Sequence, residues 1–370
     1  MTHLRSISQH RKTLAAGSIL GISALLLAAC GQPPEEGSSA SGENKDYKGC
    51  IVSDSGGFDD RSFNQSSYEG LMKVKENLGI STAAAESKAQ TDFETNINQM
   101  VQQNCDMVIT VGFLISDATK AAAAANPNTH FTIVDDSQIE AENVRPIVYD
   151  TSQAAFLAGY TAAAQSTSGK VATYGGVQIP TVTIFMDGFA EGVKYYNEQK
   201  GADVQVLGWD SEKQNGTFTG DFVDTAKGKT ITKNFLNEGA DVIMPVAGPV
   251  GSGTVDAVTE HNEGREDPAT IVWVDSDGYQ TVASGKEYIL TSVVKKMGEA
   301  VARTIKDDLA GEFTNEPYVG TLENDGVALA DFHEQADEVS EETKKELEQI
   351  KQKIIDGEIT VNSPASPLNH

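Results

Sequence analysis

SDSGGFDDRSFNQ, residues 53–65, is the stretch whose reading decides the fold. It follows the short apolar run GCIVS. It precedes SSYEGLMKVKENLG, where Tyr68, Leu71, Met72 and Leu78 recur at helical spacing before a stop at Gly79. A strand-to-helix turn thus carries two glycines, three aspartates, aromatic rings and amides. That many polar groups at a strand end have two physical readings: a metal-holding catalytic loop, or one wall of a binding cleft.

The same alternation repeats outward from this turn. Short β-branched runs at 50–53, 107–111, 131–134, 170–174, 202–208, 241–246, 270–274 and 288–294 are nearly continuously apolar. Strands of a parallel sheet covered on both faces have that character. Helical patterns lie between them, among them FETNINQMVQQN, DATKAAAAANPN closed by Asn126-Pro127, GFAEGVKYYNEQKG and DTAKGKTITKNFLNEGA. Repeated β-α-β units predict an α/β fold with parallel sheets. These units exceed one ordinary sheet, and they divide near 148–155 into two halves that share a design rather than a sequence. Residues 336–360 form a charged helix with Ile350, Ile354 and Ile355 for docking, after which NSPASPLNH is expected to fray.

Open α/β sheets bind ligands outside the carboxyl ends of their strands. The predicted strand ends carry Asp54 to Asp60, Gly112-Phe113 with Asp117 beyond, Asp135-Asp136, Ala247 to Gly253, and Asp275 with Asp277. If the halves face each other, these groups converge on one cleft.

Catalysis fits the opening stretch poorly. A calcium-binding D-x-D-x-G-x-D-D turn, aligned on Asp59-Asp60, puts Ser53 and Ser55 where its first two aspartates belong. A hard cation needs several oxygen ligands, mostly anionic. The six histidines neighbour no plausible nucleophile, and GPVGSG (248–253) lacks the Lys-Ser/Thr of a phosphate loop.

Composition narrows the partners. The chain of 370 residues holds 54 acidic against 28 Lys plus Arg side chains, a net charge of −26. Nucleic-acid binding takes a basic patch, so a polyanionic partner is excluded. At the start, Arg5, Arg11 and Lys12 precede LAAGSILGISALLLAA, residues 14–29, an export signal too short for the ~20 residues of a membrane span. Leu27-Ala28-Ala29-Cys30 then resembles a bacterial lipobox, which makes Cys30 the lipidated first residue of the mature protein. Residues 30–46 are a Gly/Ser/Pro/Glu-rich flexible tether. The remaining cysteines, Cys50 and Cys105, adjoin two β-like runs. If those strands are neighbours, both thiols sit at one edge. Export favours a disulfide over two buried free thiols. CxxC spacing and His clusters are absent, which argues against zinc.

The ordered residues resemble a family. Gly56 to Gln65 with the following YEGL is similar to the hallmark of the basic membrane protein family, the PnrA-like nucleoside-binding lipoproteins that serve ABC importers. The resemblance continues through VGF (111–113), FTIVD (131–135), AAFLAGY (154–160), DGFAEGVKY (187–195), DVIMPVAGPVGSG (241–253), WVDSDG (273–278), TSVVKK (291–296) and VGTLENDGVALADFH (319–333). It implies a type I periplasmic-binding-protein fold: two doubly wound parallel-sheet lobes joined by a hinge. The expected first lobe is 47–149 plus about 295–312, and the second is 150–294 plus about 313–335.

The resemblance implies a purine nucleoside in the interlobe cleft, delivered to a membrane permease and its ATPase, with no cofactor and no chemistry. The implied protein is a monomer, lipid-anchored on the extracytoplasmic face of the cell membrane. Carried over by position, Phe63 stacks on the base, Asn64 and Asp135 bond its edge, and Asp54 joins them from the opening motif. Asp275 and Lys295 hold the ribose, and Gly248 and Gly251 present backbone groups. Phe113, Asp117 and Phe222 are further wall candidates. Met244 is a further wall candidate: it stands where relatives commonly carry an aromatic, and if that aromatic forms the other face of the sandwich, methionine replaces it unless another aromatic compensates. The competing readings are a surface interaction or signalling lipoprotein on the same scaffold and, less well supported, a nucleoside hydrolase.

Overall fold

The computed structural model describes residues 44–369. The export signal, Cys30 and all but the last three residues of the tether lie outside them. Among the described residues no helix is long and apolar enough to cross a membrane.

In the first half the chain runs β1 (Lys48–Ser53), α1 (Phe63–Leu78), β2 (Ser81–Ala85), α2 (Gln90–Gln102), β3 (Met107–Val111), α3 (Ser116–Ala125), β4 (His130–Val134) and β5 (Val144–Tyr149). The second half runs α4 (Thr151–Gln165), β6 (Lys170–Gly175), α5 (Pro180–Lys200), β7 (Gln205–Leu207), β8 (Trp209–Asp210), β9 (Asn215–Gly216), α6 (Thr225–Asn237), β10 (Val242–Val246), α7 (Gly251–Asn262), β11 (Thr270–Asp275), α8 (Gly278–Thr281) and β12 (Ile289–Lys295). The chain closes with α9 (Met297–Leu309), β13 (Tyr318–Gly320), β14 (Val327–Leu329) and α10 (Glu341–Ile355).

Two six-stranded sheets result, ordered β13-β5-β4-β3-β1-β2 and β14-β12-β11-β10-β6-β7. Within these two sheets all pairings are parallel except β12 with β14, and β8 and β9 form a separate antiparallel pair. Each sheet is covered on both faces, as its apolar strands require. Ile51 and Ile109 pack with Leu71 of α1 and Val301 of α9. Their neighbours Cys50, Val52 and Val108 pack with α2 and α3 on the opposite face. The second sheet repeats the scheme, with α4 and α5 on one face and α6 and α7 on the other. Side chains of successive strand residues alternate between faces, and this alternation divides one apolar run between two cores.

The chain crosses between the sheets after Tyr149, after Lys295 and between Gly320 and Val327. The crossings are tied together: Asp150 N–H donates to Gly320 O at 2.8 Å, and Lys296 N–H to Gly326 O at 2.9 Å. One boundary differs from expectation. Residues 313–320 belong with the first lobe, because Tyr318–Gly320 pairs with Ile147–Tyr149 as an added strand. Three residues without an alternating pattern carried no strand signal. STAAA of β2 was equally silent, a half-exposed edge strand of small residues.

The end of the chain does not fray. Ser363 and Ser366 are buried. Ser363 Oγ donates to Asp187 Oδ2 at 2.6 Å, and Asn369 Nδ2 returns to Ser363 O at 2.7 Å. A buried carboxylate on α5 thus fixes a segment whose own composition is that of a loop.

Cys50 and Cys105 form a disulfide between β1 and the entry to β3, with Cα atoms 5.9 Å apart. It closes a loop of 55 residues. Replacing both cysteines by alanine should lower the unfolding free energy by ~2–4 kcal/mol, measured by urea titration. An unchanged midpoint would mean that the bond adds nothing to stability.

Candidate functional site

Both sheets have the strand order 2-1-3-4-5 of doubly wound folds, which opens a crevice where the order reverses. That point lies between β1 and β3 in the first lobe, and between β6 and β10 in the second. A cavity of about 60 Å³ sits there, between the two lobes.

The turn 53–65 builds one wall by spending its polar groups locally. Asp60 Oδ1 accepts from the backbone N–H of Ser62 and Gln65, each at 3.0 Å, and Oδ2 accepts from Asn64 N–H at 2.8 Å. The carboxylate therefore satisfies the orphan amides that begin α1. Burial pushes its pKa up to about 6, against the lowering effect of those amide bonds. Asp59 is exposed. Of the pair on which the hydrolase reading aligned, Asp60 is thus committed to backbone amides and Asp59 faces solvent.

Asn64 Nδ2 donates to Ser55 O at 3.1 Å and to Asp54 Oδ1 at 3.3 Å. Its Oδ1 is buried without a protein partner. Burial also holds the Asp54 carboxyl well above the usual carboxylate range, with Asn64 partly opposing. A Cβ on Gly112 would overlap the Asp54 carboxylate, and Gly112 has φ 115°, a conformation only glycine adopts freely.

Lys295 lies at the centre. It ends β12, is 2% exposed, and donates from Nζ to Asp135 Oδ2 at 2.6 Å. Asp275 Oδ1 is 3.1 Å from the same nitrogen. Burial works against the lysine charge, but the two carboxylates more than offset it and keep the ammonium above the usual lysine range. The ammonium also sits 4.6 Å from the Phe63 ring centroid and 5.4 Å from that of Phe185. Asp135 follows β4 of the first lobe and Asp275 ends β11 of the second. Both have left-handed backbones, φ 68° and 67°. Aspartate tolerates this better than most residues, and such strain concentrates at functional sites.

The lobes are latched beside this centre. Ser62 Oγ of the first lobe is 3.0 Å from Asp275 Oδ2 and 3.1 Å from Val274 O. Arg61 Nη1 donates to Thr281 O at 2.9 Å, and Ser276 Oγ donates to Arg61 O at 2.8 Å. Sequence reasoning assigned Arg61 and Ser62 no role. They lie inside the opening motif, but the partners of their side chains come from the facing lobe.

Of the expected site residues, Asp54, Phe63, Asn64, Asp135, Gly248, Asp275 and Lys295 line the cavity, with Phe113 and Phe222 from the wider set. Three do not. Asp117 is exposed on the first turn of α3. Gly251 lies under the second sheet, where a Cβ would stand 2.9 Å from the Trp273 indole, so its role is packing. Met244 is fully buried in mid-β10, in register with Thr173, and joins the core. It does not line the cavity. The rings of the second lobe are instead Phe222 and Phe185, the latter on α5 and unassigned from sequence. A helical phenylalanine in an apolar run gives no signal of a cleft.

A site of this kind, walled by two lobes and presenting rings and hydrogen-bonding groups, defines a small-molecule binding protein. The comparisons with known proteins agree. A family model described as ABC transporter substrate-binding protein, PnrA-like, matches residues 48–364. The chain belongs to this family and is an ABC transporter substrate-binding protein. It is 33% identical to the ABC transporter nucleoside-binding protein BmpA of Lactococcus lactis, over 95% of this chain and 99% of that one. It is 32% identical to the CD4+ T-cell-stimulating antigen of Listeria innocua, over 95% and 98%. Among solved structures it resembles a solute-binding protein of an ABC transporter system from Aeropyrum pernix, with TM-score 0.77 and 25% identity over 86% of this chain and 94% of that one. The fold is that of type I periplasmic-binding proteins.

Lys295→Met should destabilise the protein by ~3–5 kcal/mol, because it leaves Asp135 and Asp275 buried without their cation. Urea unfolding measures this, and a loss below about 1 kcal/mol would mean that the triad is not electrostatically coupled. Asp60 should titrate near 6, read from the amide shifts of Ser62 and Gln65. Its raised pKa stabilises the fold fully below the unfolded value of about 3.9, and that contribution disappears as pH rises through 6. Asp60→Asn should flatten this part of the stability profile.

Proposed function

We propose that the protein is a lipid-anchored, extracytoplasmic receptor that binds purine nucleosides in the interlobe cleft and hands them to a membrane permease. The observation that carries this reading is the convergence, from both lobes, of aromatic faces with paired donors and acceptors around one buried ammonium. The name of the Lactococcus relative, a nucleoside-binding protein, supports it.

In this reading the base lies against Phe63, with Phe222 and Phe185 contributing the facing apolar surface. An aromatic pair adds ~0.5–1.5 kcal/mol beyond burial. The free Oδ1 of Asn64 accepts from an amino or imino N–H of the base. Asp54, whose carboxyl is raised by burial, bonds the base edge beside Asn64, and Asp135 reads the remaining edge. Asp275 accepts from the two ribose hydroxyls, as a carboxylate can, while Lys295 donates to them and keeps the surrounding carboxylates from repelling one another. Gly248 offers its backbone at the strand end. The protein binds without reacting: Asp60 is committed to backbone amides and activates no water. The Arg61 and Ser62 contacts close the lobes over the ligand, and the three crossings absorb the dihedral change. Cys30 carries the lipid, at ~0.8 kcal/mol per buried methylene, and residues 31–46 give the lobes reach toward the permease.

Inosine, adenosine or guanosine should raise the melting temperature, with sub-micromolar affinity. Native mass spectrometry of protein purified without added ligand should find a co-purifying nucleoside. Asp275→Ala should abolish the thermal shift. No shift with any nucleoside at millimolar concentration would reject the specificity, and full binding by Asp275→Ala would reject the ribose assignment.

A further inference from the structure

Beside the inner cavity lies a second chamber of about 370 Å³. The two adjoin, and Phe113, Asp135, Ile179 and Thr181 line both. One side of the chamber is made by the end of the chain, through Pro364, Ala365 and Pro367. That segment is anchored. Ser363 Oγ donates to Asp187 Oδ2, while Asp187 Oδ1 accepts from Trp209 Nε1 at 3.0 Å and Gln214 Nε2 at 2.7 Å. Asp187 is fully buried, and Gln214 is itself a chamber residue. One carboxylate thus fixes two walls at once.

The chemistry of the lining is one-sided. Among the described residues its charged members are Asp135 and Asp136, and no Lys, Arg or His lines it. The nearest cation on the inner side, Lys295, is already shared by Asp135 and Asp275. An anionic group entering here meets like charge and finds no free cation, a repulsive element of the kind that sets specificity. Neutral or cationic groups meet amides, hydroxyls and carboxylates that can accept their protons.

We propose that residues 362–367 form a specificity wall of the cleft, and that the chamber behind it admits nucleosides bearing a neutral or cationic extension while rejecting nucleoside phosphates. This rests on the nucleoside reading above and deepens it. The chamber lets the receptor take substituted nucleosides, and its acidic lining screens out nucleotides.

The test is calorimetric titration of the full chain with adenosine, 5′-deoxy-5′-methylthioadenosine, 5′-amino-5′-deoxyadenosine, an N6-alkylated adenosine and adenosine 5′-monophosphate. At least one extended nucleoside should bind within about threefold of adenosine, and the monophosphate should bind at least 100-fold more weakly. Ala365→Trp, which fills the chamber, should weaken that extended ligand at least tenfold more than adenosine. Ser137→Lys, at an exposed chamber position, should recover monophosphate binding at least tenfold relative to adenosine, and it decides the matter if Ala365→Trp fails to fold. Rejection of every extended nucleoside overturns the proposal. So does equal weakening of adenosine and the extended ligand by Ala365→Trp, or an unchanged phosphate penalty in Ser137→Lys. If adenosine and inosine themselves do not bind, the functional reading fails first.

Discussion

The ammonium of Lys295 held between Asp135 and Asp275 is the contact on which the site depends. It joins the first lobe to the second through groups that are almost wholly removed from water. A buried charge of either sign is costly alone, and the attraction repays that cost only when the geometry is close. The lobes must therefore meet in one arrangement for the three charges to be tolerated. The neighbouring contacts of Arg61 and Ser62 are ordinary hydrogen bonds made possible by that arrangement. Aromatic faces around the ammonium exclude water and strengthen every polar interaction inside.

Both lobes solve the same local problem in the same way. Strands β4 and β11 each run out into an aspartate with a left-handed backbone; Asp135 meets Lys295 across the cleft, and Asp275 meets it from the adjacent strand. Each lobe also opens at its own point of strand-order reversal, where backbone from neighbouring strand ends diverges and leaves room for a ligand. In the first lobe that space is narrowed by Asp54, which Gly112 accommodates. In the second it is bounded by Gly248 and Pro249. The inner cavity is lined by the carboxylates of Asp54, Asp60, Asp135 and Asp275 against the one ammonium of Lys295.

The α/β class and the strand-end clustering of polar groups were legible in the sequence because both follow from local periodicity. Apolar runs of parallel strands and glycine-rich turns leave their mark whatever the surrounding fold. The ordered motifs from Gly56 to the 319–333 segment carried the family as well, and with it the two-lobed architecture. Met244, assigned from the resemblance, and Gly251 and Asp117, which follow strand ends, do not line the cavity, because neither a resemblance nor a place in the sequence says which way a residue faces. Met244 is buried in mid-strand, Gly251 makes room for Trp273, and Asp117 faces solvent on α3. The edge strands β2 and β13 escaped notice because pairing, not composition, makes them strands.

The sequence by itself determined the alternation of strands and helices, the division into two halves and the supply of carboxylates and rings at strand ends. Those properties reside in short stretches of chain. Only the tertiary structure decided that Phe185 and Phe222 share a wall with Phe63, that Arg61 and Ser62 have partners more than two hundred residues away, and that the loop-like end of the chain is fixed by Asp187. Each of these depends on the meeting of two lobes or of distant segments, and a contact between surfaces folded separately has no signature in either surface alone.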